Sequence, residues 1–106
     1  ADLRQLRCVE ALNLSHNKLG GVPRIVMQMQ TLTDISIDGN GIENIEPSLK
    51  LLTGLTRLSM AENKIHTMHP SLFKLTNLTI LNLTNNRISV IPPDIALLGH
   101  LVTLSL

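Results

Sequence analysis

The chain has 106 residues, enough for one domain, and 43% of them are apolar, so it can bury a core. Nine Lys/Arg and eight Asp/Glu give a net charge of +1, and Phe73 is the only aromatic residue, which disfavours nucleic-acid binding. Cys8 is the only cysteine, so an internal disulfide and a cysteine-built zinc site are excluded. No apolar run reaches the roughly 20 residues that span a bilayer, so we predict no membrane insertion.

A repeat of 23 residues organises the chain. Asn17, Asn40, Asn63 and Asn86 follow one another at this interval. The positions fourteen, eleven, eight, five and three residues before each Asn, and those two and five after it, are apolar in every unit. Such a repeat predicts that each unit folds back to the same place and that equivalent apolar side chains stack into one continuous core.

The first predicted element of each unit is a short strand. Its form is apolar-x-apolar, as in the Leu-x-Leu of Leu12-Asn13-Leu14, so the apolar side chains face inward and the middle residue faces outward. Strands one repeat apart are reached by the same return path and must therefore lie parallel.

The repeated Asn follows the strand, at the corner where the chain turns. A buried amide needs hydrogen-bond partners, and a stacked column of Asn can bind backbone groups of its own turn and the next one. We therefore predict a structural Asn ladder at Asn17, Asn40, Asn63 and Asn86. The alternative, four Asn in exposed turns, is disfavoured because the spacing never changes.

The return segments begin at or near proline. These prolines are Pro23, Pro47, Pro70 and Pro92-Pro93. Proline presets the backbone for the start of a short helix or an extended return. The returns are too short for long helices, so one or two helical or 3₁₀ turns are expected in each unit.

The complete pattern, L-x-x-L-x-L-x-x-N-x-L-x-x-[IVLM]-P, is met at residues 78–92, with Ile88 in place of its last Leu. Over the whole chain it resembles that of leucine-rich repeat proteins, and the 23-residue unit resembles their Ras-suppressor and adenylyl-cyclase class. Two units depart from that class, since Glu46 and His69 stand where Pro23 and Pro92 do. The resemblance implies an α/β solenoid: a right-handed superhelix with a parallel β-sheet on its concave face and short helical, 3₁₀ or extended returns on its convex face.

We expect residues 1–106 to form a single domain of about 4.5 repeats. Neither end carries a cysteine-rich cap. An uncapped solenoid exposes an apolar end and an open strand edge, so we expect this domain to be a fragment of a longer array.

The resemblance implies that a partner protein binds on the concave face. The acidic residues predicted there favour a partner with a basic segment. The predicted partner-binding residues are Asp34, Asp38, Arg57 and Glu62, with Asn13, Ser36, Ser59 and Asn82 as rim or floor. The alternative is that Arg57 simply pairs with Asp34 on the neighbouring strand.

The sequence predicts a non-enzymatic module without cofactors, because it contains no nucleophile elbow, Walker sequence or HExxH motif. His66 and His69 could share a metal ion, but only Glu62 is available as a third ligand, so a solvated loop is favoured. Cys8 lies in a column of small or polar residues and is predicted to be a partly exposed free thiol.

Three N-glycosylation sequons begin at Asn13, Asn77 and Asn82 and are weak evidence for secretion. The single cysteine and the missing caps instead favour a cytoplasmic or nuclear protein. Two alternatives to a free-standing interaction module stay open. The chain could be a regulatory segment of a larger signalling enzyme, such as a kinase, cyclase or GTPase, or part of an extracellular receptor ectodomain.

Overall fold

The computed structural model describes residues 9–106, in which three-residue strands alternate with five-residue 3₁₀ returns. The first members of two apolar columns, Leu3 and Leu6, and the predicted free thiol of Cys8 lie outside the described residues. The strands are β1 (Ala11–Asn13), β2 (Asp34–Ser36), β3 (Arg57–Ser59), β4 (Ile80–Asn82) and β5 (Thr103–Ser105). The returns are η1 (Arg24–Gln28), η2 (Pro47–Leu51), η3 (Pro70–Lys74) and η4 (Pro93–Leu97).

The five strands form one parallel sheet in the order β1-β2-β3-β4-β5. Each residue pairs with the residue 23 positions later, so Ile35 lies between Leu12 and Leu58. Leu81 continues the same row between Leu58 and Leu104. The predicted solenoid and the inward-facing column are therefore confirmed.

The core consists of the stacked apolar columns. Ile35, Leu58 and Leu81 have no solvent exposure. Apolar column residues near the ends of the described chain are more exposed, as Leu19 and Leu104 show, because among the described residues each has an equivalent neighbour on one side only. The columns thus bury apolar surface chiefly between repeats, as a repeat architecture requires.

The return segments are short 3₁₀ helices of five residues each, within the predicted one or two turns. Pro47, Pro70 and Pro93 each occupy the first position of a turn, where their missing N–H removes no hydrogen bond. Phe73, in η3, is buried against the aliphatic core. Within residues 9–106, no helix has the length and apolar character needed to cross a bilayer.

The Asn ladder forms, and Asn63 shows it most fully. Its Oδ1 accepts from the backbone N–H groups of Asn40 (2.9 Å) and Ile42 (3.1 Å). Its Nδ2 donates to carbonyls in both repeats: Ile37 (3.1 Å), Met60 (2.9 Å) and Ala61 (3.1 Å). The Asn63 side chain therefore forms hydrogen bonds with backbone groups of its own turn and of the preceding one.

The sequence prediction named the next turn instead, and on this point it was wrong. Corner N–H groups point towards the following repeat, as the bond from Gly39 N to Ala61 O (3.0 Å) shows. The Oδ1 atoms of Asn40, Asn63 and Asn86 therefore accept from corner N–H groups of the repeat before them. Asn40 and Asn63 are buried, whereas Asn17 is exposed and Asn86 is partly buried.

The residue before each ladder Asn adopts a left-handed backbone conformation. The φ angles are 61° at His16, 64° at Gly39, 56° at Glu62 and 59° at Asn85. Gly39 is favoured here for two reasons. Glycine adopts positive φ without strain, and a Cβ at this position would overlap the His16 imidazole.

Candidate functional site

The candidate site is the concave face of the sheet, which presents two rows of side chains across the strands. The first row begins each strand, and the second ends it. The first row is Ala11, Asp34, Arg57, Ile80 and Thr103; the second is Asn13, Ser36, Ser59, Asn82 and Ser105. The structure therefore places six of the eight predicted partner-binding residues in these rows, while Asp38 and Glu62 lie on the corners that follow β2 and β3.

Asp34 and Arg57 face each other across β2 and β3. The distance from Arg57 Nη1 to Asp34 Oδ2 is 3.8 Å. The Arg57 side chain is 57% exposed and the Asp34 side chain is 40% exposed. Charge-assisted hydrogen bonds are about 2.7–2.9 Å long, so this is a loose ion pair. An exposed pair of this kind contributes about 0–1 kcal/mol to stability.

A shallow hollow of about 300 Å³ opens beside this pair. It exists where the short side chain of Ala11 stands in the row next to Asp34. Its lining is Ala11, Leu12, Asn13, Asp34, Ser36 and Arg57. The hollow thus combines a carboxylate and a guanidinium with the methyl group of Ala11 and the short polar side chains of Asn13 and Ser36.

Asp38 connects two neighbouring repeats. Its Oδ1 accepts from the Ser59 hydroxyl (2.6 Å) and from the Ala61 backbone N–H (2.8 Å). Its own N–H donates to Ser15 Oγ (3.2 Å), and Ser15 Oγ lies 2.9 Å from Ser36 Oγ. One carboxylate oxygen of Asp38 is therefore already occupied in joining the strand ends.

Ser59 departs from the exposure expected of its row, since only 4% of it is accessible. The residue lies on the central strand, and its short side chain is turned to Asp38. It forms part of the floor and offers little surface to a partner. Glu62, by contrast, is exposed at its corner.

Asn13 and Asn82 close the ends of β1 and β4. Asn13 Oδ1 accepts from the Ser15 N–H (3.0 Å), and Asn82 Oδ1 accepts from the Thr84 N–H (3.1 Å) and hydroxyl (2.6 Å). These are turns in which an Asn side chain replaces a backbone acceptor. Two of the three sequons therefore lie on the concave face, where their side chains cap strand ends.

A threonine ladder along the start of the strands was missed from the sequence. The hydroxyls of Thr33, Thr56 and Thr79 donate to the backbone carbonyls of Glu10 (3.2 Å), Thr33 (3.0 Å) and Thr56 (3.0 Å). These threonines recur at the 23-residue interval of the repeat. That spacing was a readable signal for this second ladder.

His69 also has a role that the sequence did not reveal. It precedes η3 and is partly buried, and its Nδ1 accepts from the Ser71 N–H (3.1 Å). His69 is thus an N-cap, whereas a solvated loop was expected. Among residues 9–106, no three His, Cys, Asp or Glu side chains come together in an arrangement that could hold a metal ion.

Solved structures with the same fold come from bacteria and plants. A leucine-rich repeat protein of Leptospira interrogans is 27% identical, with a TM-score of 0.92 over 96% of this chain and 26% of that chain. Internalin C2 of Listeria monocytogenes is 28% identical, with a TM-score of 0.82 over 92% of this chain and 42% of that chain.

A third similar structure is the ectodomain of the Arabidopsis thaliana membrane receptor kinase GASSHO1/SCHENGEN3, solved in complex with CASPARIAN STRIP INTEGRITY FACTOR 2. It is 28% identical, with a TM-score of 0.74 over 90% of this chain and 11% of that chain. The chain therefore spans less than half the length of each of these three proteins.

A search of curated proteins gave no match. Family models described as leucine-rich repeats match residues 30–88, 53–106 and 5–22, which together cover most of the sequence. The parallel sheet, the 3₁₀ returns and the Asn ladder agree with these matches. The chain belongs to the leucine-rich repeat family.

Proposed function

We propose that the chain is a non-enzymatic protein-interaction module that binds an extended segment of a partner protein on its concave face. The observation that carries the proposal is the continuous register of the first row across five strands. Hydrogen-bonded strands hold these side chains at intervals of about 4.8 Å. Because the row is ordered before the partner arrives, little conformational entropy is lost from this side on binding.

The charge of the site favours a basic partner segment. Asp34 is partly exposed, and its loose pair with Arg57 leaves acceptor capacity on the carboxylate, which can take up to about four hydrogen bonds. A Lys or Arg side chain of the partner fits the hollow, where its methylene groups can lie against the Ala11 methyl group and its charge can reach Asp34. Glu62 adds a second exposed negative charge at the corner beyond β3.

Within the predicted set, Asp34 and Glu62 are better probes of partner binding than Asp38. Replacing Asp38 would remove the acceptor for Ser59 and Ala61 and would alter the fold together with the surface. Replacing Asp34 would break only a loose, exposed ion pair among the contacts that the structure gives it.

A display library of extended peptides with varied charge tests the proposal. The wild-type chain should enrich Lys- and Arg-containing peptides, and their capture should weaken with salt because the attraction is electrostatic. The double variant Asp34→Lys/Glu62→Lys should lose this enrichment. A library that yields no basic preference on the wild-type chain would count against the proposed partner.

The matched control is Glu46→Lys/Asp94→Lys, which makes the same change of net charge. Glu46 precedes η2 and Asp94 lies in η4, so both are exposed on the convex side, away from the candidate site. Circular dichroism should show that both double variants keep the fold. Equal loss of capture in the two double variants would mean that net charge, rather than the concave face, controls binding.

Two alternatives place the same surface in a larger protein. The similarity to a receptor-kinase ectodomain that was solved with CASPARIAN STRIP INTEGRITY FACTOR 2 supports a role in a receptor. A signal peptide and a membrane span on the same polypeptide would support this alternative. A kinase, cyclase or GTPase domain would instead support a regulatory segment of a signalling enzyme, which the resemblance to adenylyl-cyclase repeats suggested.

A further inference from the structure

Asn40 differs from the other ladder residues in the residue that follows it. Gly41 comes after Asn40, whereas Lys18, Lys64 and Arg87 follow the other three. Glycine leaves the backbone free to bring its nitrogen close to the preceding side chain, because it has no Cβ. Asn-Gly is therefore the sequence at which an unfolded chain deamidates most readily.

We propose that Asn40-Gly41 is a latent deamidation site. The folded Asn ladder prevents the reaction, and local unfolding of this corner allows it. In the reaction, hydroxide removes the proton from Gly41 N, and this nitrogen attacks Asn40 Cγ. The new C–N bond forms as the Cγ–Nδ2 bond breaks, and Nδ2 leaves as ammonia after taking a proton from water. Water then hydrolyses either carbonyl of the cyclic imide and leaves aspartate or isoaspartate at position 40.

The ladder blocks the first step by holding the amide. Asn40 Oδ1 accepts from the N–H groups of Asn17 (2.8 Å) and Leu19 (3.2 Å). Its Nδ2 donates to the carbonyls of Leu14 (3.0 Å) and Asp38 (3.1 Å). These four bonds use the two donors and two lone pairs of the amide, so the side chain cannot turn towards the attacking nitrogen without breaking them.

The two residues of the site differ in solvent exposure. Asn40 is 2% exposed, whereas Gly41 lies exposed at the corner. Hydroxide in solution can therefore reach the backbone around Gly41. The side-chain carbon that must be attacked, Asn40 Cγ, is instead buried and held in the ladder. Release of the Asn40 side chain from the ladder is thus the step on which the reaction depends.

Either product prevents the ladder from closing again. Aspartate would place an oxygen where Nδ2 now donates, facing the Leu14 and Asp38 carbonyls, and would bury a carboxyl group without those two bonds. Isoaspartate would add a methylene to the backbone at Asn40, whose carbonyl now accepts from Gly20 N at 2.8 Å. A transient opening of this corner thereby leads to a permanent covalent change within the Asn ladder.

The test follows deamidation in folded and urea-unfolded wild-type chain at mildly alkaline pH. Trypsin releases residues 25–50, and mass spectrometry of this peptide separates aspartate and isoaspartate from Asn40. Asn44 lies in the same peptide before the bulky Ile45 and serves as an internal reference. We expect a folded rate at least about a hundredfold below the unfolded rate, equivalent to an opening free energy of about 2.8 kcal/mol at 1.4 kcal/mol per tenfold.

Two ladder variants test whether opening of this corner controls the rate. Asn63→Leu removes the acceptor for the N–H groups of Asn40 and Ile42, so it loosens the corner without altering the reacting pair. Asn86→Leu makes the same change one corner further on, where Oδ1 accepts from Ile65 N. Folded Asn63→Leu should deamidate at Asn40 faster than folded Asn86→Leu.

If Asn63→Leu does not fold by circular dichroism, wild-type chain in a series of sub-denaturing urea concentrations replaces it. The rate at Asn40 should then rise with the opened fraction. Equal rates in folded and unfolded chain, a rate that ignores urea, or an unfolded chain that reacts no faster at Asn40 than at Asn44 would each overturn the proposal.

Discussion

The Asp38 carboxylate accepts the hydroxyl of Ser59 across neighbouring repeats, with Oδ1 and Oγ 2.6 Å apart. The same oxygen accepts from Ala61 N at 2.8 Å, so a side chain completes the hydrogen bonding of the backbone where β3 ends. Ser15 does the same for Asp38 N one repeat earlier. The concave face is therefore both a candidate binding surface and a set of interstrand braces.

Asp38→Ala should destabilise the fold because it leaves the Ser59 hydroxyl and the Ala61 N–H without their acceptor. Since Ser59 is buried, we expect a loss of about 1–3 kcal/mol in the free energy of unfolding, measured by urea denaturation. Asp34→Ala is the control and should lose about 0–1 kcal/mol, because Asp34 forms a loose, exposed pair with Arg57. Equal losses in the two variants would contradict a bracing role for Asp38.

Asn63→Leu should destabilise the chain more than Asn17→Leu. Asn63 is buried and bonds five backbone groups in two repeats, whereas Asn17 is exposed and donates to Leu14 O and Ser15 O. Each buried group left unpaired costs roughly 1–3 kcal/mol, so the Asn63 variant should lose several times as much stability as the Asn17 variant. Thermal melts followed by circular dichroism would compare them, and a neutral Asn63→Leu would exclude the ladder as a stabilising element.

The sheet and the core could be predicted from the sequence because the repeat supplies them redundantly. Leu12, Ile35, Leu58 and Leu81 occupy one column, and a parallel return of constant length places them in one row. No single residue decides this arrangement. The ladder was predictable for the same reason, since a polar residue that recurs among buried columns must find its partners in neighbouring repeats.

The details of the concave face could not be predicted in this way because its columns do not repeat their chemistry. The column of Asp38 also contains Ser15, Ala61 and Thr84, each with its own hydrogen-bond options. Short polar side chains choose among several backbone groups at similar distances, and the choice depends on the exact placement of strand ends. Hence the charges of the site were identified, whereas the Asp38–Ser59 bond and the burial of Ser59 were not.

Leu58→Ala should show how strongly the stability lost on truncating an apolar side chain depends on its position among the repeats. Leu58 has no exposure and is flanked by Ile35 and Leu81, so truncation leaves a cavity between two repeats and should cost about 2–5 kcal/mol. Leu104→Ala is the matched control, because Leu104 occupies the same column but is 37% exposed. Urea denaturation should give a clearly smaller loss for Leu104→Ala, and similar losses would contradict the stacked-core account.

Thr56→Val should isolate the contribution of the threonine ladder. The Thr56 hydroxyl donates to Thr33 O at 3.0 Å, and this carbonyl also accepts from the N–H groups of Thr56 and Arg57. Valine keeps the shape and β-branching of threonine, and Val102 already occupies the equivalent position beside β5.

Only the hydroxyl bond is lost in Thr56→Val, so we expect a loss of about 0.5–1.5 kcal/mol in urea denaturation, near the low end because the group is exposed. Thr79→Val removes the same bond one repeat later and should show a loss of the same size. Thr56→Ser keeps the hydroxyl and controls for the methyl group. A Thr56→Val variant at least as stable as wild type would mean that the ladder follows from the sheet geometry and does not help to hold it.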